Sequence, residues 1–125
     1  MKLLASLVIG LVAVSHFGFL ALEMFFWTKP VGMAVFGSTP EFAAQSAVLA
    51  ANQGLYNGFL ATGLLWGLLA GRMDIKIFFL SCIVVAGVFG GITASVSIVF
   101  VQALPAAIAL GLLWGARREL NHAVA

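Results

Sequence analysis

The chain has 125 residues, of which 63% are hydrophobic and only 8% charged, with a formal net charge of +2 and a mean hydropathy of +1.17. Its charges leave long gaps: 20 residues between Lys2 and Glu23, 30 between Glu41 and Arg72, and 40 between Lys76 and Arg117. A soluble domain of this size must cover most of its surface with polar groups, so the pattern excludes a soluble enzyme, a nucleic-acid-binding module and a disordered tail; the single cysteine, Cys82, excludes an intrachain disulfide framework.

In chain order, the first predicted element is a membrane-spanning helix over residues 4–27. About 20 apolar residues are needed, because a rise of ~1.5 Å per residue must cross a core of ~30 Å. Met1-Lys2, an apolar run and the small residues Ala13 and Ser15 also resemble a cleaved signal peptide. The run continues to Leu22, however, and Phe25-Phe26-Trp27 suits an interfacial anchor, so the segment reads as an uncleaved span. A loop follows over Thr28–Glu41. Ser38-Thr39-Pro40-Glu41 closes it as a helix start: a hydroxyl cap, proline in the first turn, and an acid at the positive end of the helix dipole. The second span is expected over residues 46–70.

The last charge-free run would form one helix of ~60 Å, twice the membrane thickness, so it must fold back on itself. The bend falls in Gly91-Ile92-Thr93-Ala94-Ser95-Val96-Ser97, leaving spans over residues 76–92 and 97–116. Pro105 is expected to kink the fourth span. Pairs of glycines four residues apart (Gly54/Gly58, Gly63/Gly67/Gly71, Gly87/Gly91, Gly111/Gly115) predict close helix packing. The expected fold is all-α, a single domain over residues 1–125 forming an integral membrane four-helix bundle.

With four spans, Lys2, Arg72, Lys76, Arg117 and Arg118 share one side of the bilayer and Lys29 alone takes the other. The excess of Lys and Arg places both termini in the cytoplasm. The expected localisation is a cytoplasmic (inner) bacterial membrane, crossed several times.

Polar side chains at membrane depth are costly and usually face a bundle interior or a cavity. Counted at ~1.5 Å per residue from the cytoplasmic ends, His16 lies at ~18 Å, Asn57 at ~20 Å, and Tyr56 and Gln102 at ~21 Å. Gln53, Asn52 and Glu23 follow at ~26 to ~29 Å. These seven residues form one layer in the outer half of the bilayer. His16 and Glu23 are seven apart, on one stripe of the first helix, while Asn52/Tyr56 and Gln53/Asn57 form two adjacent stripes on the second. The first helix is therefore expected to present an acid and an imidazole to a carboxamide-and-phenol face, with Gln102 closing the ring.

The same groups can serve as interhelical hydrogen-bond glue, and Glu23 can pair with Lys29 at the interface. His16 and Glu23 alone are too few ligands for a metal site, and no cofactor or nucleotide motif is visible. Three functions fit the layer. The first is a site that binds or transports a small hydrophobic or cationic molecule, with two copies of the chain pairing to enclose a path. The second is acid–base catalysis on a lipid-soluble substrate, of the isomerase or epoxide-opening type, with Glu23 and His16 dividing the roles. The third is a purely structural role. The lipid bilayer is the one partner common to all three, and none involves nucleic acid.

His16-Phe17, Leu22-Glu23-Met24-Phe25-Phe26-Trp27, Pro30 and Phe36-Gly37 are followed by the run Asn52-Gln53-Gly54-Leu55-Tyr56-Asn57-Gly58-Phe59-Leu60-Ala61 and by Gln102-Ala103-Leu104-Pro105-Ala106. Together these resemble a small bacterial membrane-protein family catalogued as domain of unknown function 1304. The resemblance implies a four-helix integral membrane protein and no particular activity. Its signature residues are the polar residues of the depth count.

Overall fold

Helices account for nearly all of the computed structural model, which describes the backbone of residues 1–124 and the side chains of residues 1–117. In order they are α1 (Lys2–Phe25), α2 (Pro30–Phe36), α3 (Pro40–Leu69), α4 (Met73–Thr93), a π-helical turn (Val99–Ala103) and α5 (Leu104–Val124). Three stretches among the described residues are long and apolar enough to cross a membrane: Lys2–Phe25, Met73–Thr93 and Val99–Arg117. At 30 residues α3 is long enough too, but Asn52, Gln53 and Asn57 interrupt its apolar sequence and it does not qualify on apolarity. Arg118 and His122 are C-terminal residues whose side chains lie outside the described residues.

The chain divides into two units, Met1–Ala13 with Thr62–Ala125, and Val14–Ala61. In the first unit, the last apolar run does fold back. α4 ends with Ser95 N–H donating to the Gly90 carbonyl at 3.1 Å, and the turn is closed by bonds from Ile98 to Ser95 and from Val99 to Val96. The two arms of this hairpin meet through missing side chains. A Cβ on Gly87 would stand 2.6 Å from the backbone nitrogen of Ala103, and one on Gly91 would overlap the Val99 side chain. Similarly, a Cβ on Gly67 of α3 would lie 3.1 Å from the Lys76 nitrogen of α4. Gly71 has φ +64°, the left-handed conformation that ends α3, with Arg72 N–H bonded back to the Gly67 carbonyl.

Pro105 interrupts the last of these apolar stretches in a particular form. Because it has no N–H, no α-helical bond can run from it to the Val101 carbonyl, and Val99–Ala103, ending two residues before it, take the wider π-helical turn. Buried Ala106, Ala109, Leu113 and Ala116 then continue α5 inward at spacings of three and four.

In the second unit the expected loop over 28–41 contains the short helix α2. Pro30 at its first position fixes a helical φ, and Gly37 at φ +62° ends it, with Ser38 N–H donating to the Met33 carbonyl. Seven residues are too few for a helical period to show in the sequence. The helix start read at residues 38–41 is present: Phe42 N–H donates to Thr39 Oγ1 at 3.3 Å, with Pro40 and Glu41 in the first turn. α3 accordingly begins at Pro40, six residues before the expected span.

Candidate functional site

The polar residues of the second unit sort into an inward and an outward set, and the glycines of α3 decide which is which. Gly54 and Gly58 present backbone to α1. A Cβ on Gly54 would lie 2.6 Å from Met24 Cγ and 3.1 Å from Glu23 Cβ, and one on Gly58 would lie 2.5 Å from Leu20 Cδ1. Close approach along this face draws in the neighbouring Asn57, which is 1% exposed. Its Nδ2–H donates to Glu23 Oε2 at 2.6 Å. Glu23 thus bonds to α3 and not to Lys29. His16 is also 1% exposed, two turns earlier on α1, with its ring set edge-on to Phe19 at a centroid distance of 5.5 Å.

Asn52 and Tyr56 are on the other side of α3 and exposed, with Tyr56 58% exposed and its ring edge-on to Phe59, and Gln53, on the edge of the Asn57 stripe, is exposed as well. The expected pairing of two carboxamide stripes with α1 is therefore divided: Asn57 meets Glu23, whereas Gln53, one turn away, points outward because the glycine face takes the contact with α1. Gln102 belongs to the other unit, half-buried in the π-helical turn.

Sequence reasoning missed a clasp nearer the end of α1. Trp27 Nε1–H donates to Ser46 Oγ at 3.0 Å, and Ser46 Oγ–H donates to the Phe42 carbonyl at 2.6 Å. The Trp27 ring also packs against Phe36 of α2 at 4.8 Å. Its nearest sequence signal was the aromatic cluster at 25–27, read as an interfacial anchor.

Charge outside the spans is neutralised locally at Arg72, whose Nε and Nη2 fork onto Asp74 at 2.9 and 2.5 Å. The carboxylate holds the guanidinium even further above its ordinary pKa. Two clefts lie in the first unit, and none of the seven polar residues lines them. One is a shallow groove along α4 from Phe78 to Phe89; the other, of about 230 Å³, is bordered by Ser81, Trp114 and Arg117. Among the described residues no group of three His, Cys, Asp or Glu side chains is arranged to hold a metal ion.

Fold and site together define an all-helical protein with helices able to cross a membrane and an acid–carboxamide pair between two of its helices. The chain belongs to the family described as Protein of unknown function (DUF1304), whose model matches residues 10–114. No curated protein and no solved structure matches it.

Proposed function

We propose that this chain is a four-helix protein of a bacterial cytoplasmic membrane, with both termini inside, and that Glu23 is the centre of a site that binds or transports a small hydrophobic or cationic molecule. The observation that carries the reading is the Asn57–Glu23 hydrogen bond. A carboxylate between apolar helices needs compensation, and a neutral carboxamide orients it without cancelling its charge. That arrangement leaves Glu23 able to attract a cation. An arginine or lysine at position 57 would have neutralised it.

Binding is favoured over acid–base catalysis by the place of His16. It is buried against Phe19, two turns from Glu23, so the two groups do not converge on one exposed point. The second span in this reading is α3, whose 30 residues cover ~45 Å, enough to cross a bilayer despite the polar interruption.

Purified protein in lipid nanodiscs, titrated with tetraphenylphosphonium as a lipophilic cation, tests the site. Wild-type protein is expected to bind the probe more tightly as pH rises, and Glu23→Gln to lose at least tenfold in affinity and all of the pH dependence. Equal binding by the two proteins overturns the reading.

A further inference from the structure

We propose that the exposed stripe of α3 is a seam between two copies of this chain. The helix carries two differently made faces. Ala43, Ala50, Gly54, Asn57 and Ala61 are buried within the chain. On the other side Gln45, Leu49, Asn52, Tyr56 and Phe59 are exposed, and they follow one another at intervals of four, three, four and three residues. That alternation is the spacing of a seam between two paired helices. Leu49 is 74% exposed and Phe59 56%, so apolar groups flank the polar ones along the stripe.

This inference rests on the reading that α3 crosses the membrane. Lipid offers no hydrogen bonds to Asn52, Gln53 or the Tyr56 hydroxyl, so at membrane depth these groups require a partner. The occupant is identified by their chemistry. No charged residue lies between Glu41 and Arg72, so the face presents neither sign of charge for a charged partner to match. A carboxamide both donates and accepts, which makes it complementary to a copy of itself. Across a two-fold axis Asn52 meets the same patch on the second copy, and each polar group finds donors and acceptors on the partner. The Glu23–Asn57 pair lies on the opposite side of the same helix, so pairing would fix the helix that holds the site.

Cysteine cross-linking in native membranes tests the seam, with Cys82→Ser as background. Asn52→Cys is expected to form a disulfide-linked dimer on mild oxidation, and Val85→Cys, exposed on α4, is expected not to. Separately, Asn52→Leu, Gln53→Leu and Tyr56→Phe combined should lower the dimeric fraction at least tenfold by single-molecule photobleaching in vesicles. The seam is overturned if Asn52→Cys stays monomeric, or if the triple variant dimerises as wild type does. Rapid labelling of Asn52→Cys by a membrane-impermeant maleimide overturns both the seam and the depth assigned to α3. Glu23→Gln should dimerise normally, so loss of cation binding with dimers intact counts against the binding site alone.

Discussion

In the first unit helices meet because side chains are missing, and in the second they meet because polar ones are present. Gly87 and Ala103 bring α4 and the π-helical turn into backbone contact, with Ile98 and Val99 against Gly90 and Gly91. Between Val14 and Ala61 a similar glycine approach at Gly54 and Gly58 serves a different end. It delivers the Asn57 carboxamide to Glu23, and nearer the end of α1 the Trp27 indole reaches Ser46. Membrane helices lack a hydrophobic drive to associate with one another, so close packing and hydrogen bonds must share the task. Both units use close packing at glycine, and the second adds side-chain hydrogen bonds between its helices.

The largest effect expected from breaking this contrast comes from Asn57→Leu. It strands the Glu23 carboxylate beside apolar groups and should cost about 2–4 kcal/mol in detergent unfolding experiments, while Glu23→Leu combined with Asn57→Leu should regain most of the loss. Next is the steric side. Gly87→Ala places a Cβ against the Ala103 backbone and should cost about 1–3 kcal/mol, whereas Gly111→Ala, with nothing within 4 Å of the added atom, should change the thermal midpoint little. Removing the indole donor by Trp27→Phe should cost about 1 kcal/mol, and Ser46→Ala should match it without adding to it. Smallest is Thr39→Ala, which removes the cap of α3 and should cost about 0.5–1 kcal/mol, read as faster amide exchange confined to the first turn.

Much of this was legible because the bilayer imposes a length. Forty residues without a charge cannot cross once, so the α4–α5 hairpin and its bend at 91–97 follow from arithmetic. The cap at Thr39 follows from the order hydroxyl, proline, acid. Which residues interrupt the apolar helices was legible; which side of its helix each one faces was not. A count along an axis cannot tell Asn57 from Gln53, and what separates them is the pair Gly54 and Gly58, which commits that side of α3 to α1. Pro105 announced a break, but whether a helix answers with a bend or a widened turn depends on what packs beside it, here Gly87 against Ala103. α2 escaped notice because its punctuation, Pro30 and Gly37, is equally the punctuation of a loop.

The π-helical turn at 99–103 has a further meaning for how this sequence tolerates change. It holds one more residue than an α-helical turn would, a spare position within an otherwise regular rod. Losing a single residue there would tighten the turn to ordinary helix and leave Ala106, Ala109, Leu113 and Ala116 facing as before. The same loss a few residues later would rotate that buried stripe by about 100° and turn its small side chains away from the core. In the segment before Pro105 the length of the chain and the phase of the packing that follows are thus uncoupled.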